Sequence, residues 1–199
     1  MKLTHKLNWK IKMEYPQHKV FCIGLNKTGT TSLGDALKIL GYRRLGWQDQ
    51  VSAPLTLRWH EGKLDYFRKL TFKYDAFEDI PWCLVYKEMK AMYPNAKFIL
   101  TEREDPEKWY DSLVRHVEKR GGWVGHYLIY GAYDLRANKD QCIDKYVRHN
   151  DEVREFFSGQ PDQLLELNFE KGHGWKELCK FLGMSSLPDE DFPHSNKGK

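Results

Sequence analysis

The 199-residue sequence has no long apolar run, no CxxC pair, no internal repeat and no metal-ligand spacing. No stretch approaches the ~20 apolar residues of a membrane span, so no membrane partner is expected. The N-terminus, MKLTHKLNWK, lacks the apolar core of a signal peptide, so none is expected either. The four cysteines, Cys22, Cys83, Cys142 and Cys179, are far apart and read as free thiols of a reducing, cytoplasmic setting. The eight histidines include nothing like HExxH, and no metal is expected. Excess charge is also missing from most of the chain. There are 32 basic and 28 acidic residues, a net +4, and residues 1–19 alone hold five lysines against Glu14. The remainder is neutral overall. That argues against the broad basic face of a nucleic-acid binder and leaves room for a local basic pocket.

What is present is globular. Aromatic residues make up 14% of the chain, too many for a disordered one. At this length about 70% of the unfolded surface can be buried without a disulfide or metal. We expect a single domain over 19–199, preceded by a basic extension over 1–18. In that extension Leu7, Trp9, Ile11 and Met13 alternate with polar residues, as in a half-buried strand.

Lys19–Leu25 is an apolar run fit for a buried parallel strand. A Gly/Thr-rich turn follows, and Leu33, Ala36, Leu37 and Leu40 then form a helix face closed by Gly41. Residues 55–71 read as weakly patterned helix and 74–78 as a strand. Trp82, Val85, Met89 and Met92 form a helical stripe, and 97–101 a third strand. Asp105-Pro106 supplies an N-cap and a first-turn proline to a helix carrying Trp109, Leu113 and Val117. Residues 118–138 give no clear pattern. Residues 140–157 predict a helix with Ile143, Val147 and Val153 on or near its apolar side. A strand over 164–167 and a helix over 175–182, stopped by Gly183, complete the chain. Strands alternating with helices predict an α/β fold with a mainly parallel sheet.

The segment Gly24-Leu-Asn-Lys27-Thr28-Gly29-Thr30-Thr31-Ser32 lies between a strand and a helix. Backbone N–H groups at a helix N-terminus make an anion nest, to which Lys27 adds a charge and the hydroxyls add donors. The plain alternative is a polar turn with a solvated lysine. It is not a Walker A loop, because Lys27 precedes Gly29 instead of following it. The order Lys-Thr-Gly-Thr-Thr resembles the 5′-phosphosulfate loop of sulfotransferases, which use 3′-phosphoadenosine 5′-phosphosulfate (PAPS). The resemblance implies a P-loop-like three-layer fold, a sheet flanked by helices. It also implies a cofactor site at Lys27, Thr28, Gly29, Thr30, Thr31 and Ser32. A second segment, Phe98 to Ser112, looks like the family's 3′-phosphate signature, with Arg103 clasping the phosphate through its planar fork and Ser112 donating from a helix. Eight residues separate the two where the family usually has seven, and alignment makes Glu104 the additional one. The other reading of this segment is an ordinary capped helix with a surface arginine.

Further similarities run through Tyr146, His149-Asn150, Gly174-Trp175, Leu178 to Gly183, and the tail Phe192, His194 and Asn196. Trp175, Leu178 and Phe181 are most simply core residues. Lys171-Gly172 reads as a solvated loop, with the border of the cofactor's 3′ end as the alternative. Cytosolic family members often place tryptophan directly after the phosphate loop for adenine stacking; here Ser32 stands there.

The resemblance implies in-line sulfuryl transfer from PAPS to a hydroxyl or amine of a small-molecule acceptor, leaving 3′-phosphoadenosine 5′-phosphate (PAP). Lys27 would stabilise charge on the leaving phosphate oxygen. Asp79, two residues before Pro81, occupies the context of the family's general base. Its other reading is a helix cap near Pro81, and Glu78 is the neighbouring candidate on the opposite face of the strand. His60, His116, His126 and His149 read as solvent or helix-face residues, and His173 sits in a glycine loop. The aromatic residues of Gly121–Tyr133 either line an acceptor site or pack, and that site is open or completed by a partner subunit. Two rival classes stay in view: a kinase-like phosphotransferase using ATP and Mg²⁺, and a non-enzymatic nucleotide-binding module.

Overall fold

A computed structural model describes residues 18–195. The strand expected over Leu7–Met13 and the tail residue Asn196 lie outside the described residues. The elements, in order, are β1 (Val20–Cys22), α1 (Thr30–Ile39), β2 (Arg44–Leu45), α2 (Asp49–His60), α3 (Asp65–Thr71), β3 (Ala76–Phe77) and α4 (Tyr86–Met92). They continue with β4 (Lys97–Thr101), α5 (Pro106–Arg120), α6 (Val124–Tyr130), α7 (Lys139–Phe157), β5 (Leu164–Leu167) and α8 (Trp175–Leu182). Short 3₁₀ turns cover Trp82–Leu84 and Phe169–Lys171.

All five strands are parallel, in the order β2-β3-β1-β4-β5. Period-two alternation splits β1 between two cores. Phe21 and Ile23 enter one with Phe77, Phe98, Trp82, Val153 and Phe157. Val20 and Cys22 enter the other with Leu33, Leu37, Ile99 and Leu178. Helices thus cover both faces, as the P-loop-like reading requires. A row of aromatic rings crosses the central strands, with Phe21 stacked on Phe77 at 4.9 Å and on Phe98 at 5.5 Å. A third cluster, with Trp109, Leu113, Ile129, Tyr130 and Tyr146, packs α5, α6 and α7 together.

Several local expectations hold. The strand over 97–101, the strand over 164–167 and the helix over 175–182 have the predicted bounds. Asp105 accepts a hydrogen bond from Glu107 N at 2.8 Å and Pro106 opens α5. Others are corrected. Residues 49–71 form two helices, broken near Gly62, whose φ of 71° suits glycine. The stripe from Trp82 is a 3₁₀ turn followed by α4. The unassigned 118–138 segment contains α6. On α7, Val147 is exposed. The buried face instead runs through Cys142, Tyr146, His149, Asn150, Val153 and Phe157, with His149 and Tyr146 hydrogen-bonded within it. The two-residue β2 is too short to leave a periodic signal.

With β1 flanked by β3 on one side and β4 on the other, successive connections leave the sheet centre in opposite directions. This puts a crevice beyond the carboxyl ends of these strands, where ligands of open α/β sheets bind. The four cysteines are buried and unpaired.

Candidate active site

Four of the strands each deliver one part of the crevice. β1 leads into the Gly24–Gly29 loop, β3 into Glu78-Asp79, β4 into Arg103, and β5 into the Phe169–Lys171 turn. The loop is shaped by the protein around it. A side chain at Gly24 would run into Thr101. Gly29 has φ 95°, and a Cβ there would lie 2.6 Å from the Phe169 ring. His149, expected on a helix face, is buried, and its Nε2 donates to Ile23 O at 2.7 Å. Burial pushes its pKa down to about 4, so the ring is neutral and holds the end of β1. Trp109 Nε1 donates to Asn26 O at 2.9 Å while its ring stacks on Tyr146 at 4.4 Å.

The loop hydroxyls do not act alike. Thr28 is turned inward, donating to Leu25 O at 2.6 Å and meeting the Thr101 hydroxyl at 2.6 Å. Thr30 donates to Asp79 Oδ2 at 3.1 Å. Ser32 Oγ accepts from the backbone N of Ser195 at 3.0 Å. Thr31 is half-buried.

Among the described residues, Lys27 (φ 73°) and Asp79 (φ 70°) are the non-glycine residues with positive φ. Lys27 has no salt-bridge partner among the described residues. Its pKa is lowered, first by burial and then by the charges of Arg103, Arg115 and Arg120, against the attraction of Asp79. Asp79 accepts from Ile80 N at 2.7 Å and from Thr30. Its carboxylate does not cap a helix, because Pro81 holds the N-cap position of the following 3₁₀ turn. Burial raises its pKa, opposed by those two hydrogen bonds and by Lys27.

Glu78 and Asp79 diverge as expected, although β3 has already ended at Phe77. Glu78 is 1% exposed and accepts from Arg44 Nη2 at 2.5 Å. Its Oε2 and Arg44 Nε have no hydrogen-bond partner among the described residues. A Cβ at Gly34 or Gly46 would run into this pair and force it to shift. Burial first, and the neighbouring Asp79 second, push the Glu78 carboxyl up to about 7 against the pull of Arg44.

Arg103 is half-buried and held by partners on three sides. Its Nε donates to Lys27 O at 3.0 Å and its Nη1 to Glu170 Oε1 at 2.6 Å, and its backbone N donates to Tyr146 OH at 2.9 Å. Ser112 is half-buried about two turns into α5, and no hydrogen bond joins it to Arg103. Among the described residues, no group of three or more His, Cys, Asp or Glu side chains could hold a metal ion.

Residues 19–137 and 124–199 match the family described as sulfotransferase domain. The chain belongs to the sulfotransferase family. Its similarity to a curated relative, Ava biosynthesis cluster protein M of Aspergillus versicolor, is 27% identity over 214 residues, covering 88% of this chain and 80% of that protein. Among solved structures it resembles the sulfotransferase from Alicyclobacillus acidocaldarius. The TM-score is 0.56 at 17% identity, covering 88% of this chain and 85% of the other, a likeness of fold.

Within this sulfotransferase-family chain, several site neighbours left no local trace in the sequence. Arg44 sits on the unpredicted β2. Glu170, in the turn after β5, reaches Arg103. Lys171 is exposed, and its N donates to Asn168 Oδ1. His173 Nδ1 accepts from Asn168 N, which makes it a loop staple. His126 is buried, and burial lowers its pKa to about 4. The aromatic segment divides. Tyr130 is core and bonds Asn26; Tyr127 and Tyr133 stack on each other at 4.2 Å; Trp123 meets Trp47 edge-on at 5.3 Å beyond the end of β2.

Proposed function

We propose that this sulfotransferase-family protein transfers a sulfuryl group from PAPS to a hydroxyl or amine of a small-molecule acceptor, with residues 19–199 as one domain and residues 1–18 as a basic arm. The observation that carries the reading is the convergence of Lys27, Asp79 and Arg103 on one loop at the sheet's switch point. The residues fit the cofactor. The loop offers backbone N–H groups at the start of α1, Lys27 has no salt bridge among the described residues, and Arg103 already holds an anion, the Glu170 carboxylate. When bound, PAPS would supply the activated sulfuryl group. Lys27 and the backbone of Thr28, Gly29, Thr30, Thr31 and Ser32 would bind its 5′ end; Arg103 and Ser112 would bind its 3′-phosphate.

Lys27 would stabilise negative charge that grows on a phosphate oxygen. Asp79, made more basic by burial, would take the proton from the acceptor. Trp123, against Trp47, would line the acceptor side. Four buried free thiols suit a cytoplasmic setting. No described helix is long and apolar enough to cross a membrane.

Thermal melting with nucleotides tests the reading. PAP, without Mg²⁺, should stabilise the protein, by about 2.7 kcal/mol at 100 times its dissociation constant. ADP, which lacks the 3′-phosphate, should do so much less. Equal shifts with both would remove the Arg103 and Ser112 assignment.

A further inference from the structure

We infer that Glu170 is a resident counter-anion of the Arg103 site, one that a 3′-phosphate must displace in order to bind. The inference rests on the PAPS reading and adds to it a residue that sets nucleotide affinity. Glu170 Oε1 takes the hydrogen bond of Arg103 Nη1 at 2.6 Å, and Oε2 takes that of Glu104 N at 2.9 Å. Two oxygens of one anion on a guanidinium and a backbone N–H is the arrangement a phosphate would use. The second donor comes from Glu104, the residue added between Arg103 and Ser112 relative to the family spacing.

The surroundings allow an exchange. Arg103 stays anchored through Nε on Lys27 O, so its fork keeps its direction when the carboxylate leaves. The turn that carries Glu170 is held without that side chain. Asn168 Oδ1 accepts from the backbone N of Glu170 and of Lys171, and Phe169 packs on Gly29. The Glu170 side chain is 28% accessible and can rotate into solvent. A phosphate arriving beside a retained carboxylate would put two anions on one guanidinium, so the carboxylate has to move. The contact therefore opposes binding of the nucleotide and favours its release, while keeping Arg103 oriented in between.

Titration calorimetry of PAP and ADP with wild type, Glu170→Gln and Glu170→Ala tests this, with unliganded melting to verify that each variant folds. Both variants should bind PAP about tenfold more tightly, with ADP changed by less than about twofold. In an Arg103→Ala background, Glu170→Gln should leave PAP binding unchanged, because the two residues act as one unit. Unchanged or weaker PAP binding in both Glu170 variants would overturn the inference and leave Glu170 as a staple between loops. A different result, PAP and ADP binding alike or not at all in every protein, would overturn the 3′-phosphate reading and this inference with it.

Discussion

Lys27 and Asp79 hold left-handed backbone conformations that disfavour side chains, at roughly 1–3 kcal/mol each. Both sit at the crevice, and their charges act on each other. Strain kept at two facing, chemically apt residues supports roles in catalysis, and the roles differ. Lys27 should matter most for charge that appears only during transfer. Lys27→Ala should lower turnover by roughly 10²–10³, with PAP affinity falling less because the backbone nest remains. Asp79→Asn should leave PAP affinity almost intact and lower turnover by roughly 10²–10⁴. Labelled PAPS with an acceptor library, and calorimetry with PAP, measure the two effects. Full turnover in Asp79→Asn would reject it as the base, and Glu78→Gln would then decide whether the neighbouring carboxylate carries the role.

Between elements, the buried Arg44–Glu78 pair ties β2 to β3 and lies against α1 through Gly34. A buried pair with two unpartnered atoms is a weak source of stability, and it makes stability sensitive to pH. The folded state raises the Glu78 pKa to about 7, above its unfolded value near ~4.3. The native protein therefore binds more protons in that window. The stability this contributes is full below the unfolded value and is lost as pH rises through the folded one. The melting temperature of wild type should fall from about pH 5 to pH 7.5 relative to that of Glu78→Gln. His126 and His149, buried and neutral, act in the opposite direction and are common to both proteins, so the difference reports Glu78 together with its neighbour Asp79. Parallel profiles would mean that Glu78 titrates as an ordinary carboxyl.

Across the whole molecule, the C-terminal segment returns to the phosphate loop. Phe192 packs on Phe169 at 5.2 Å and on Trp175 at 4.9 Å. Phe169 in turn covers Gly29, and Ser195 bonds Ser32 and Asp35 on α1. The tail thus buttresses the nest from outside. Phe192→Ala should cost about 1–3 kcal/mol, less than a fully buried phenylalanine. That corresponds to a melting temperature lower by roughly 2–10 °C for a chain of this size. PAP affinity should fall with it. A stability loss without any loss of affinity would show that Phe169 keeps its place without the tail.

The strand-loop-helix around Lys27, the β4 strand, the Asp105 cap and α8 were legible because short-range chemistry decides them: apolar period, a capping carboxylate, a first-turn proline. The same local order in Lys27-Thr-Gly-Thr-Thr carried the family. Other features depend on partners far away in the chain. The inward turn of Thr28 needs Thr101, the burial of His149 comes with its bond to Ile23, and β2 exists only because β3 pairs with it. Arg103 was read as a phosphate ligand, yet its anchoring on Lys27 and its carboxylate partner Glu170 lie 76 and 67 residues away. A sequence fixes such contacts only by folding, since no local pattern records which distant side chain will fill a given hydrogen bond or close on a given glycine.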